Sequence, residues 1–207
     1  MDWFEGKKII MPSIVNGSSY SLDMEGFYSN DKTSIVISEN LSYLISILNS
    51  KVLWWLTQQL TSGRQGGFYE LKPMYVTDFP VPQSDIATET IITYITDALL
   101  LLVSQPQTPS LALNVAYLER VLDAMVYELY LPAELHTLGY EPFKVISAYP
   151  WPTLSGDTVK DLAALAEVFA KWYDPEHPIR RLTYYLDSVP AVRIIEGKEE
   201  TDGGAEA

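Results

Sequence analysis

Apolar and polar residues are arranged in short runs over roughly the first forty positions of the chain, a pattern typical of strands. Three runs favour strands because they are rich in residues that suit a pleated surface or lie between turn-forming residues. These runs are Lys7–Met11, Ser19–Asp23 and Thr33–Ile37. From about residue 40 to 61, apolar residues recur at steps of three and four, which predicts one amphipathic helix with Ser38 as its N-cap.

The periodic pattern stops after residue 61. Residues 62–67 read Ser-Gly-Arg-Gln-Gly-Gly, which predicts a glycine-rich loop, and Phe68–Leu71 follows as a short extended segment. Residues 78–83 contain two prolines and cannot continue a helix or a central strand. We therefore expect a first domain of mixed strand and helix that ends at residue 83.

The second half of the chain has helical periodicity throughout. Apolar stripes predict four helices, at about 86–103, 111–129, 159–172 and 177–186. Prolines lie at the junctions between these stripes, where helices are expected to stop: Pro106, Pro109, Pro132, Pro150, Pro152, Pro175 and Pro178. The sequence thus predicts an α+β protein, with a strand–helix domain at 1–83, a helical domain at 84–195 and a disordered acidic tail at 196–207.

Charge is distributed unevenly between the two halves. The whole chain carries a net charge of −13, which argues against a nucleic-acid binder because phosphate contacts come from Lys and Arg. Residues 1–83 hold six basic and eight acidic residues, a net charge of −2, whereas residues 84–207 hold eight basic and nineteen acidic residues, a net charge of −11. Most of the acidity therefore belongs to the second half. The argument against DNA binding is correspondingly weaker for the first half, which is nearly neutral.

Composition limits the compartment and the kinds of site that the chain can form. It has no cysteine, which excludes disulfides, thiolate zinc sites and cysteine nucleophiles and fits a reducing compartment. We find no run of 18 apolar residues and no signal-peptide pattern, so we expect a cytoplasmic location and no membrane partner. His136 and His177 lack a nearby cluster of acidic or histidine residues, so we expect no metal site and no cofactor in this chain.

Familiar catalytic motifs are mostly missing. The chain has no nucleophile elbow, no phosphate-binding loop and no dinucleotide fingerprint. One arrangement resembles that of metal-dependent nucleases: Asp187, then a predicted strand at 192–195, then Glu196 and Lys198. The simpler interpretation is that these charges are solvated and lead into the tail.

The segment at 62–72 carries the residue types that contact DNA. Arginine and glutamine suit base edges, serine and lysine suit phosphate, and aromatic rings offer flat faces. The candidates are Ser62, Arg64, Gln65, Phe68, Tyr69 and Lys72. A solvated glycine turn explains the same residues without a ligand. Trp54 and Trp55 lie in the preceding helix and are expected in the core, unless Trp54 turns outward to form a docking surface.

The order of five segments resembles the TaqI-like C-terminal specificity domain of adenine-N6 DNA methyltransferases, including type IIG restriction-modification enzymes. The segments are Lys8–Pro12, Leu22–Asp23 with Gly26–Asn30, Ile47–Lys51, Gly66–Lys72 and Pro80–Pro82. The resemblance covers about residues 6–83, and Leu122–Tyr130 is similar to a helix that often follows in these enzymes.

This resemblance implies that the first half reads bases of double-stranded DNA, chiefly in the major groove, and positions an adenine for flipping. Arg64 would contact a guanine, Gln65 an adenine, and Lys8 and Lys72 the phosphates. The family's catalytic Asn/Asp-Pro-Pro-Tyr/Phe motif is absent, so the resemblance implies a non-catalytic part whose methyltransferase or endonuclease domain lies upstream or in a separate chain. The alternative is a protein–protein interaction or scaffold module in which the acidic half binds a partner and the 62–72 segment has no role with DNA.

Overall fold

The computed structural model describes residues 4–198, and helices dominate it. Helices account for 55% of the structure and strands for 10%, and the strands form small antiparallel sheets. The predicted α+β class is therefore confirmed.

All six strands of the described region lie in the first 70 residues. They are β1 (Lys8–Pro12), β2 (Ile14–Val15), β3 (Ser21–Asp23), β4 (Thr33–Val36), β5 (Ser62–Arg64) and β6 (Phe68–Glu70). One antiparallel sheet has the order β3-β1-β4 and the other β2-β6-β5. Ser13 joins the sheets, since its N–H donates to the Lys32 carbonyl at 2.9 Å and its carbonyl accepts from the Leu71 N–H at 2.9 Å.

Helices fill the rest of the described chain. They are α1 (Leu41–Asn49), α2 (Lys51–Leu60), α3 (Pro73–Val76), α4 (Ile86–Val103), α5 (Pro109–Tyr130), α6 (Pro132–Thr137), α7 (Pro142–Ser147), α8 (Thr158–Trp172), α9 (Pro178–Tyr185) and α10 (Pro190–Ile195). A 3₁₀ turn at Leu186–Ser188 links the last two. Six of these helices have a proline in their first turn, where its missing N–H costs nothing.

The single helix predicted over 40–61 is two helices, and Ser50 separates them. Its backbone is extended (φ −67°, ψ 157°), which interrupts the helix, and its hydroxyl accepts a hydrogen bond from the Leu53 N–H at 3.3 Å. Ser50 is thus the N-cap of α2. The N-cap of α1 is Asn40 and not Ser38, because the Asn40 side chain accepts from the Tyr43 N–H at 3.0 Å.

The hydrophobic core runs without interruption from the first half into the second. Helix α4 packs against α1, α5 and α8. Fully buried residues of α1, α4 and α5, such as Ile47, Ile92 and Met125, belong to one cluster. The core therefore continues across the predicted domain boundary at residue 83. The division into domains stays a prediction.

Helix α4 is the one helix, among the described residues, that is long and apolar enough to cross a membrane. This assignment rests only on the length of the helix, 18 residues, and on its composition. Core helices of soluble proteins meet the same two criteria. In this chain its buried side chains face the neighbouring helices, as Ile92, Ile95 and Ala98 show.

The C-terminal segment departs from two predictions. The strand expected at 192–195 is helical and forms most of α10. Glu196, where the tail was expected to begin, has a side chain that is only 3% exposed and that pairs with basic residues of the helical core. Residues 199–207 of the predicted tail lie outside the described residues.

Candidate nucleic-acid interface

The segment predicted as a glycine loop is largely a β-hairpin. Strand β5 pairs antiparallel with β6, with Arg64 opposite Phe68, and residues 65–67 form the turn. Gly66 and Gly67 have φ angles of 83° and 78°, a region that side-chain-bearing residues rarely adopt. Because a Cβ on Gly67 would meet no atom within 4 Å, its backbone conformation is what requires glycine.

The register of this sheet divides its side chains between two faces. Gly63 and Val15 both pair with Tyr69, and Ser62 and Ile14 both pair with Glu70. Because side chains alternate along a strand, residues with the same parity share a face. One face therefore carries Ile14, Ser62, Arg64, Phe68 and Glu70, and we call these five residues the outer face.

The opposite face of the hairpin packs on the protein. The Tyr69 ring contacts the Trp54 ring edge-to-face, with centroids 5.5 Å apart at 87°. Val15, beside Tyr69 in the register, is 4% exposed. Trp54 thus turns towards the hairpin, and Tyr69 anchors the sheet on α2. The structure gives the Tyr69 ring a packing role, and its contact with DNA stays a prediction.

The outer face is exposed and carries both apolar and charged groups. Phe68 is 39% exposed and Ile14 59% exposed. Gln65 is exposed in the turn, and the Arg64 side chain is 55% exposed. The outer face therefore offers a cation and an aromatic ring on one small sheet, beside a turn that carries the Gln65 amide.

Glu70 occupies the middle of this face and was not singled out by the sequence. Its carboxylate pairs with the Arg64 guanidinium, and the Lys72 ammonium lies 3.4 Å from the same oxygen. The hydrogen bond from Arg64, assisted by Lys72, lowers the pKa of Glu70. Side chains alternate along a strand, so Glu70 could have been placed on the same face as Phe68 from the sequence. This alternation was the signal that could have brought Glu70 near Arg64.

Lys8, predicted to hold phosphate, is not available for that role. Its side chain is fully buried and pairs with Asp23, and its ammonium donates to the Phe4 carbonyl at 2.7 Å. The cause is the register of β1 and β3, which places Lys8 directly opposite Asp23. The hydrogen bond from Lys8 lowers the pKa of Asp23, which favours its carboxylate form in this buried structural pair.

The nuclease-like carboxylates are engaged in ion pairs. Arg120 binds both Asp187 and Glu196, and Lys198 lies 3.0 Å from Asp187 and 2.6 Å from Glu196. Within residues 4–198, no group of three or more His, Asp or Glu side chains could hold a metal ion. These carboxylates stabilise a C-terminal contact instead of forming a vacant acidic site.

Both histidines have structural partners. The His136 Nε2 lies 2.6 Å from the Glu128 carboxylate. His177 caps α9, since its Nδ1 accepts from the Ile179 N–H at 3.3 Å. Neither ring points to chemistry of its own.

A cleft of about 560 Å³ lies between the two halves, apart from the hairpin. Its walls come from residues 18–22, α1, the start of α2, α4 and α5. Its two acidic residues, Glu119 and Asp123, have pKa values that burial raises. No residue of the outer face lines it. The candidate interface is therefore an exposed sheet surface and not a pocket.

Comparison with known families gives a match for the first part of the chain. Residues 1–81 match the TaqI-like C-terminal specificity domain, which confirms the resemblance. The match includes every strand found among residues 4–198 and ends before α4. No curated protein matches the chain.

Proposed function

We propose that this chain recognises a target sequence in duplex DNA for a restriction-modification type adenine methyltransferase, and that the chemistry belongs to another domain or chain. The observation that carries this proposal is the outer face, which lies within the residues that match the specificity-domain family. It presents Arg64 and Phe68 beside a turn that carries Gln65.

A two-stranded hairpin such as β5–β6 is a form of backbone that the major groove admits. That groove is about 12 Å wide and admits a two-stranded ribbon, whereas the minor groove is about half as wide. Arg64 can pair bidentately with guanine and Gln65 with adenine, and Phe68 can contact a thymine methyl group. Lys72, whose side chain is 47% exposed, contacts phosphate, and Ser62 at the base of β5 can do the same.

Charge limits how tightly the chain can bind DNA without its partner. With a net charge of −13, the chain alone binds duplexes weakly, at best at about 10⁻⁴ to 10⁻⁶ M at physiological salt, an affinity typical of non-specific contacts that low salt strengthens. The missing affinity comes from a methyltransferase or endonuclease domain, of type IIG or a related class. The acidic helical half packs on that domain, and the assembly works in the cytoplasm.

The chain has no catalytic activity of its own in this proposal. Asp187 and Glu196, the carboxylates with the best spacing for a metal-dependent nuclease, are held by Arg120. We expect neither methyl transfer from S-adenosylmethionine nor magnesium-dependent cleavage of duplex DNA. Cleavage that Asp187→Ala and Glu196→Ala abolish would overturn this part.

The experiment that tests recognition is selection from a pool of random duplexes by the full chain at low salt. We expect enrichment of one short sequence, and loss of the preference at one base pair in Arg64→Ala. Lys72→Ala should weaken binding equally on all duplexes and lower the salt slope by about one unit. A selected pool that stays random would contradict the proposal.

A protein–protein scaffold is the second candidate, and the net charge of −11 on residues 84–207 favours it. In that case the acidic half binds a basic partner and the hairpin has no nucleic-acid role. A salt titration separates the two functions. Phosphate contacts make log affinity fall linearly with log salt, whereas a scaffold shows no DNA binding to titrate.

A further inference from the structure

We propose that Glu70 determines the specificity of the outer face, both by orienting Arg64 and by reducing the attraction of the sheet for phosphate. This inference rests on the proposed role in DNA recognition and assigns a function to an acidic residue inside the surface that meets a polyanion. An acidic residue at that position opposes binding, so its presence there needs an explanation.

Glu70 lies where it can act on both cations of the surface. It is on the central strand of its sheet, with Ile14 on one side and Ser62 on the other. Arg64 is opposite Phe68, two residues before Glu70, so its guanidinium reaches Glu70 along the diagonal of the pleat. Lys72 approaches from the chain that follows β6, at 3.4 Å.

The ion pair fixes the direction of the guanidinium. Arginine carries five N–H donors in a planar fork, so Glu70 can engage one edge while the other edge stays free for a base. An arginine held in this way loses less freedom when it binds a guanine. Pairing with Glu70 therefore favours bidentate base contact over loose contact with any nearby phosphate.

The charge of Glu70 also limits sequence-independent binding. Arg64, Lys72 and Glu70 together carry a net charge of +1, and removal of the carboxylate would leave two unopposed cations. On a duplex without the target, Arg64 and Lys72 would then both be free for phosphate, and one additional phosphate contact strengthens such sequence-independent binding by about threefold at moderate salt. Because specificity is a difference between two affinities, a group that disfavours all sequences outside the target raises it.

The test compares the full chain with Glu70→Gln, using the duplex that wild type selects and a scrambled duplex. We expect Glu70→Gln to bind the scrambled duplex about threefold more tightly, with a salt slope steeper by about one unit. The preference for the selected duplex should fall by about threefold or more. Asp78→Asn removes the same charge from an exposed site outside the hairpin and should change neither ratio nor slope.

Glu70→Asp separates the two effects. It retains the charge, so binding to the scrambled duplex should return to the wild-type value. Its side chain is one methylene shorter and cannot hold Arg64 in the same direction, so the preference for the selected duplex should stay reduced. A thermal melt of each variant verifies that the comparison is made on folded protein.

The outcomes distinguish this inference from the function on which it rests. If Arg64→Ala loses the preference while Glu70→Gln keeps both the wild-type preference and the wild-type salt slope, the role of Glu70 is wrong and DNA recognition stands. If the wild-type chain shows no preference among duplexes, both proposals are wrong.

Discussion

Two arginine–carboxylate pairs in this molecule have the same chemistry and opposite surroundings. Arg64 pairs with Glu70 on the hairpin, where the arginine side chain is 55% exposed. Arg120 pairs with Glu196 at the C-terminal end of α10, where the two side chains are 17% and 3% exposed. The first arginine has free donors that face solvent, and the second uses its donors inside the protein.

The partners of the two carboxylates explain the difference. Glu196 accepts hydrogen bonds from Tyr127 at 2.8 Å and Lys51 at 3.3 Å, in addition to Arg120 and Lys198. Lys51 is the first residue of α2, which lies in the part of the chain that matches the family. Tyr127 and Arg120 belong to α5, in the second half. The Glu196 network thus connects both halves, and its carboxylate is engaged by side chains of the protein itself.

The largest effect is expected from Glu196→Ala. Removal of this carboxylate leaves Arg120 with only the exposed Asp187 as a counterion, and the loss of one partner of a buried pair costs about 3 kcal/mol in the free energy of unfolding. Urea denaturation of the full chain measures it. Glu176→Ala is the matched control, since Glu176 is 82% exposed and lies 3.5 Å from Arg181, and its change should stay within about 0.5 kcal/mol. Equal losses of stability in the two variants would contradict the difference between the buried and the exposed ion pair.

Acid should weaken the Glu196 network in a defined pH range. Burial alone would raise the pKa of Glu196, but hydrogen bonds from Lys198, Tyr127 and Arg120 outweigh it and lower the pKa from 4.5 to about 2. A carboxylate with a lowered folded pKa stabilises the protein above pH 4.5, and this contribution is lost as the pH falls towards 2. The stability difference between wild type and Glu196→Gln should shrink over that range, whereas parallel pH curves would show that folding does not lower the pKa of Glu196.

A smaller effect is expected from Tyr69→Ala, which removes the anchor of the hairpin. The contact between Tyr69 and Trp54 is a half-buried aromatic pair, and its loss should cost about 1–2 kcal/mol of stability. The preference for the selected duplex should fall as well, because the outer face would no longer be held rigidly. Tyr69→Phe keeps the ring and should retain both properties. If Tyr69→Phe loses the preference while it stays folded, the hydroxyl contacts DNA and the packing role is wrong.

The smallest effect on stability is expected from Arg64→Ala. An exposed pair contributes little, so the free energy of unfolding should change by no more than about 0.5 kcal/mol. Discrimination at one base pair should nevertheless fall by about 1–3 kcal/mol, the value of one bidentate contact. A large loss of stability with unchanged discrimination would make Arg64 equivalent to Arg120 and end the distinction between the two pairs.

Local patterns in the sequence predicted the helical framework well. The apolar stripe over 86–103 corresponds to α4 residue for residue, and the stripes at 111–129 and 159–172 lie within or nearly within α5 and α8. The spacing of apolar residues is a property of the helix itself, so it can be read without the fold. The order of short motifs was likewise sufficient for the specificity-domain match over residues 1–81.

The break at Ser50 shows where the spacing of apolar residues gave a wrong prediction. Apolar residues continue at helical spacing on both sides of it, because α1 and α2 both bury side chains in the same core. A serine can lie inside a helix or cap a new one, and the choice depends on the packing of both segments.

The sequence by itself determined the four main helices of the second half, the family of the first part and the segment that carries the candidate contacts. Only the tertiary structure decided what each side chain of that segment does. Lys8 is buried because β1 pairs with β3 in a register that places Asp23 opposite it, and Tyr69 packs on Trp54 because its position in β6 faces inward. The physical reason is that strand register sets both partner and face, and a shift of one residue would reverse every assignment on the hairpin.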